Sequence, residues 1–451
     1  MNLIVHPVRR IRGRYRVPPD RELAQLAAIL SLLSPGRCTI DNWPQDRGLE
    51  AVLQCLRQLG AQVDADGPVV RIERKTQTDL SSLETTLDCR DATAALWLFA
   101  GLLSGQRFPS TLRGEGIGIP HVCTPIIDAL TEIGAIIRRD EDIQLRVSPA
   151  QLQGAKTATS SILPYVKTAI LMGGLFAQGK TTITEDLPLP DDVERVLPAY
   201  GIEPEVARPP RPASRREDIL QGLEQQIETQ VFHKSVTIGT LPESLRPVDW
   251  VLPGDFSLAA PLVAAAAMLP KSGLLIEDVA LNPTRTGLLK VLKRMGAEIT
   301  TYRRRIENGV PVGDVSVIGG TLKATKVSLS EIPSLVSESP LLTILGGTAV
   351  GVTVIRGITE LKDAGLLPVG LITENLRRMG AKVAELDDGW AIEGPTEWHA
   401  AEIDCGGNAA MGMAFAVAGL LAEKQTTIQH AECVTSRFPD FQRLLLSFSG
   451  K

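Results

Sequence analysis

At 451 residues the chain is longer than one hydrophobic core usually spans, so two or more domains are expected. Its 44% hydrophobic and 22% charged residues exclude a disordered or low-complexity protein. A formal net charge of −5 gives no reason to expect nucleic acid or an anionic membrane as partner.

In chain order, residues 1–10 carry no long apolar run of the kind that marks a secretory signal. From Leu23 onward a unit recurs. Six apolar, small-residue helices are predicted, starting at Leu23, Ala92, Val166, Ser257, Ser337 and Ala409. They are apolar almost all round, as helices at a domain centre must be. A short strand rich in Thr, Ile and Val follows each. A second, amphipathic helix then ends at a glycine before another strand. The copies are AVLQCLRQLGAQV (Ala51–Val63), PIIDALTEIGAII (Pro125–Ile137), GLLKVLKRMGAEI (Gly287–Ile299) and LITENLRRMGAKV (Leu371–Val383), with VERVLPAYGIEPEV (Val193–Val206) a weaker one. Six copies imply two domains of three units, with the break near Leu245–Asp249. The segment ARPPRPASRRED (Ala207–Asp218) reads as a solvated loop. The longest nearly apolar stretches, Leu258–Leu269 and Ala409–Ala422, fall short of the roughly 18 residues of a membrane span. Six cysteines and five histidines are scattered, without the spacing of a metal site or a disulfide framework, and no cofactor is indicated. A cytoplasmic protein with reduced thiols is expected.

Several stretches resemble the EPSP synthase family of enolpyruvyl transferases. They are DWVLPGDFSLAAPLVAAA (Asp249–Ala266), NPTRTGLLKVLKRMGAEI (Asn282–Ile299), EIPSLVSESPLL (Glu331–Leu342), GVTVIRGITELK (Gly351–Lys362), MAFAVAGLLAE (Met413–Glu423) and AECVTSRFPDF (Ala431–Phe441), in family order. The resemblance implies an α/β fold of two inverse α/β domains of three repeats each. Residues 14–246 would form one, and residues 1–13 with 247–451 the other, around a substrate cleft. The family reaction moves an enolpyruvyl group from phosphoenolpyruvate to a hydroxyl of shikimate 3-phosphate and releases phosphate. Two anionic substrates call for fixed cations, and the proton transfers call for carboxylates.

Motif by motif, the resemblance assigns this chain's cleft residues. Arg21 stands where the family has a lysine and Glu22 where it has a serine, with Gln25 and Leu26 at its next pair. Asp91 takes an asparagine position, Thr93 a glycine and Trp97 an arginine. Leu163, Pro164 and Tyr165 occupy a Ser-Ser-Gln motif, with Ser160 and Ser161 just upstream as the alternative register. Ser337 and Glu338 take an Asp-Glu pair, Gly365 and Pro368 a glutamate and an arginine, Asn408-Ala409-Ala410 an Asp-His-Arg triplet, and Ser436 a lysine with Arg437 beside it. Arg285 is read as capping the turn before a helix. From these replacements we expect a diverged enzyme that isomerises, eliminates or cyclises a small, weakly anionic, cyclic metabolite. Glu22 and Glu338 would move its proton, and Arg21, Asp91, Trp97, Tyr165, Ser337 and Asn408 would line the cleft. The alternatives are a non-catalytic metabolite-binding protein and retained enolpyruvyl transfer. The expected partner is a small molecule, with no nucleic acid, no membrane and a monomeric state.

Overall fold

A computed structural model describes residues 1–75, 80, 85–140, 144–208, 234–243 and 245–449, so most of the Arg/Pro-rich loop read from sequence lies outside the described residues. The six apolar stretches form helices α1 (Arg21–Leu33), α2 (Thr93–Ser104), α3 (Tyr165–Gly174), α4 (Phe256–Met268), α5 (Ser339–Thr348) and α6 (Ala409–Leu421). α1, α2 and α3 pack together in one half, and α4, α5 and α6 in the other. In α4 every residue but Ser257 is buried, which its alanine-rich sequence permits because small side chains let neighbouring backbones approach. Gly101 shows the limit of that approach. A Cβ there would overlap the Ala169 carbonyl, so α2 and α3 meet backbone to backbone.

Each unit builds a sheet of its own, giving six open sheets among the described residues. In the second unit, strand Thr85–Asp88 runs parallel to Ser110–Arg113, which pairs antiparallel with Gln144–Ser148, itself paired with Ile136–Arg139. The sequence pattern showed one strand after the second helix where the structure has a hairpin, because the inner strand Gln144–Ser148 is short and only its Leu145 and Val147 are apolar. The predicted helix-ending glycines Gly60, Gly134, Gly201, Gly296 and Gly380 all have φ between 88° and 94°, the left-handed region that a β-carbon disfavours.

Strands are exchanged where the halves meet. Arg12–Tyr15 pairs in parallel with Gly273–Ile276, and Trp250–Val251 with Ile40–Asp41. Leu3–Val5 completes the last sheet against Thr426–Ile428. The segments 16–20 and 252–255 therefore run side by side between the halves, tied by the Asp20 amide on the Pro253 carbonyl and the Asp255 amide on the Pro18 carbonyl. No described helix is long and apolar enough to cross a membrane.

Candidate active site

The chain path brings helix N-termini from both halves together. Asp20 caps α1, its Oδ1 accepting from the amides of Glu22 (3.0 Å) and Leu23 (2.9 Å). Asp255 caps α4 by accepting from the Ser257 amide at 2.8 Å, and Glu338 stands at the N-cap position just before α5. An aspartate before an apolar helix is the ordinary capping signal. It is the only sign of Asp20 and Asp255 that the sequence offers.

Arg285 joins these ends. Its Nη1 donates to Asp20 Oδ2 at 3.0 Å and lies 3.8 Å from Asp192, while Nη2 is 3.3 Å from Glu22 Oε2. Asn282 and Thr284, from the same turn, hold Asp192 and Asp191. Arg285 is thus an ion-pair hub between the halves as well as part of a turn, which corrects its purely local reading. Its pKa rises far above the usual value because Asp20, Glu22, Asp192 and Asp255 outweigh its burial.

The carboxyls around it are crowded. Burial pushes Glu338 up to about 7, opposed by a Ser257 hydrogen bond and by Arg285, and its Oε1 has no hydrogen-bond partner among the described residues. Burial also pushes Asp255 up to about 7, with Asp20 adding to the rise and Arg285 opposing it. Desolvation lifts Asp20 and Asp192 as well. With one cation to share, these carboxyls do not all ionise comfortably, and protons are held in the site near neutral pH.

The other residues expected from sequence are distributed as follows. Arg21 is almost wholly buried, with Nε 2.9 Å from Asp46 and Nη2 2.8 Å from Asp91, so its charge is answered within the fold. Gly48 makes room for that cluster, since a Cβ there would overlap Arg21 Nη2 and Asp91 Oδ1. Trp97 is 0% exposed and offers no surface to a ligand; it fills the core of the first half. Asn408 caps α6 through the Met411 amide and donates to the Leu366 carbonyl. Ser337 is exposed beside the buried Glu338. Tyr165, at the start of α3, shares a small pocket of about 50 Å³ with Glu22, Asp192 and Arg285. Burial, then the charge of Glu22, raises its phenol pKa. Glu22 is half exposed, so the structure brings Glu22, Tyr165 and Arg285 together, with Glu338 within their electrostatic reach.

A larger cavity of about 600 Å³ opens between the loop Asn42–Asp46, the crossing segment 15–19 and the C-terminal residues from Ser436 onward. At another point of contact the halves touch through Glu360, which accepts from the Ser161 hydroxyl and, at 2.8 Å, from the Ile162 amide. Ser161 is therefore a cross-half contact, which the motif reading did not show. The sequence reading also missed a buried lattice of Lys167, Lys234, Glu185 and Glu194, with N–O distances of 2.9 to 3.3 Å. Among the described residues no group of three or more His, Cys, Asp or Glu side chains is placed to hold a metal.

Comparison with known proteins bears on this geometry. A family model described as EPSP synthase (3-phosphoshikimate 1-carboxyvinyltransferase) matches residues 5–213 and 213–445. A 3-phosphoshikimate 1-carboxyvinyltransferase of Desulforamulus reducens is 33% identical, covering 99% of each chain. One of Brevibacillus brevis is 32% identical over 99% of this chain and 100% of its own. Among solved structures, EPSP synthase from Acinetobacter baumannii superposes with a TM-score of 0.81 at 25% identity, covering 99% of this chain and 98% of that one. The enolpyruvyl transferase NikO from Streptomyces tendae shares the fold, with a TM-score of 0.73 at 18% identity over 99% and 97%. The curated relatives overturn the expectation of isomerisation, elimination or cyclisation on another metabolite, and with it the expectation that the family's chemistry had been abandoned. That expectation weighed motif positions singly, whereas the charges of Arg285 and Arg437 both reach Tyr165 across space.

Proposed function

The chain belongs to the EPSP synthase family, and from that premise we propose that it is a 3-phosphoshikimate 1-carboxyvinyltransferase. The observation that carries the reading is similarity along 99% of the chain to curated enzymes of that name. The site supports it in kind. Replacing phosphate by an alcohol at an enol carbon takes a proton onto the methylene carbon, while the alcohol gives up its own proton to a base and bonds through its oxygen to the neighbouring carbon. Phosphate then leaves and a methyl proton is lost. A carboxyl that is half protonated near pH 7 can both give and accept such protons. Glu338 is the candidate for that exchange, with Asp255 and Glu22 acting on the same Arg285. Tyr165 shares a pocket with Glu22 and Arg285, and Ser337 adjoins Glu338 in the chain, while Arg21, Asp91 and Asn408 make the contacts within the fold described above.

The assignment of residues 14–246 to one domain and 1–13 with 247–451 to the other goes with this reading. So do a monomeric state, a cytoplasmic setting and small-molecule substrates without nucleic acid. The test is release of inorganic phosphate by the purified protein. Release that requires both phosphoenolpyruvate and shikimate 3-phosphate is expected, with the carboxyvinyl ether as co-product by mass spectrometry. No product from the pair, under conditions where the Brevibacillus brevis relative forms it, overturns the reading.

A further inference from the structure

Five charged residues line the 600 Å³ cavity: Arg16, Asp46, Arg437, Asp440 and Arg443. Four of them are already answered. Arg16 lies 2.9 Å from Asp278, Asp46 lies 2.9 Å from Arg21, and Arg443 lies 3.0 Å from Asp440. Arg437 has no ion pair or hydrogen bond through its side chain among the described residues. It stands at the end of a short helix, Glu432–Arg437, contributed by the last unit, and it faces the loop Asn42–Asp46 of the other half across the cavity. Its charge also reaches the Tyr165 hydroxyl, where it and Arg285 together oppose the effect of Glu22. Arg437 therefore lines the large cavity and acts through its charge on Tyr165, which lines the small pocket beside Glu22.

We propose that Arg437 is the cation that grips the phosphate of an anionic substrate in this cavity. The proposal rests on the transferase reading and adds a residue to it. The other cleft arginines cannot serve without giving up a partner: Arg21 is held by two carboxylates, and Arg285 by three. A guanidinium without a carboxylate partner, in a concave space between two halves, offers paired N–H donors of the spacing that phosphate oxygens accept. Ser436, at the lysine position of the family, lines the same cavity and carries no charge. The grip is thereby displaced by one residue along the chain.

The experiment compares wild type, Arg437→Ala and Arg437→Lys. Calorimetric titrations use phosphoenolpyruvate, shikimate 3-phosphate and inorganic phosphate, alongside steady-state kinetics. The expected result is that Arg437→Ala weakens binding of at least one phosphate-bearing substrate ten-fold or more. The matching KM should rise by a similar factor, with a smaller change in kcat, and Arg437→Lys should recover part of the loss. If Arg437→Ala binds all three anions as wild type does, the proposal falls, even where wild type turns over normally. If wild type shows no turnover but loses anion binding on Arg437→Ala, the grip stands and the transferase reading falls.

Discussion

Glu338 shows at the scale of one residue how the site stores a proton. Its folded pKa of about 7 lies above the ordinary 4.5, so between those values the unfolded chain releases a proton that the folded chain keeps. Stability from this group is therefore lost as pH rises through that window, by about 3 kcal/mol once the carboxyl is ionised in both states. Glu338→Gln removes the titration. Relative to wild type, the variant should gain stability between about pH 5 and pH 8 by that order of magnitude. Urea unfolding of both proteins at the two pH values measures it, and a difference that stays flat would show that Glu338 ionises freely. The sequence marked Glu338 as a candidate because it stands at a motif position. It gave no sign that Arg285 is shared among carboxylates of the other half, since Asp20 and Asp192 are distant in the chain and their pairing appears only on folding. Trp97 shows the opposite difficulty. Its motif position pointed to a ligand, but a core helix rotates that side chain into the interior.

The repeat was the most legible feature at the scale of the element. Six helices apolar on every side could only be central, and the Gly-Ala junctions carried their left-handed glycines in plain view. Less legible was what crosses between elements. Lys167 lies in α3, in a stretch that reads as core, yet its ammonium reaches Glu185 on a strand and Glu194 on the next helix, with Lys234 closing the square. Two cations and two anions balance, so each charge is buried against opposite neighbours. Removing one leaves the rest underpaired, and breaking a buried pair in this way typically costs about 3–5 kcal/mol. Lys167→Met should lower stability by that order, and adding Glu185→Gln should return part of it. Thermal unfolding of the single and double variants decides the matter. A single variant as stable as wild type would mean that the lattice contributes nothing net.

The two halves meet over an acid-rich centre held by Arg285 and, elsewhere, through Glu360 on residues 161 and 162. The Ile162 amide donates to Glu360, so the second contact has a direct reporter at the scale of the whole molecule. In Glu360→Ala, amide hydrogen exchange in residues 160–163 should accelerate at least about ten-fold, while α1 stays protected. Unchanged exchange there would show that the contact does not persist in solution. The division into halves was readable from repeat counting. The exchange of strands between them was not, because Arg12–Tyr15 and Trp250–Val251 are too short to display a pattern of their own and gain their identity from partners more than two hundred residues away.

That distance has a consequence for the order in which the protein is made. Domains generally acquire structure as they leave the ribosome, from the N-terminal end first. Here Leu3–Val5 emerges well before Thr426–Ile428 and must wait for it, while Arg12–Tyr15 waits for Gly273–Ile276. The half containing α1, α2 and α3 has nearly all its strands once residue 251 has emerged. It can settle around a leading segment that is still unpaired. These two strands, made long before their partners, are thus among the last to find their place, and closure of the second half is a late event in translation.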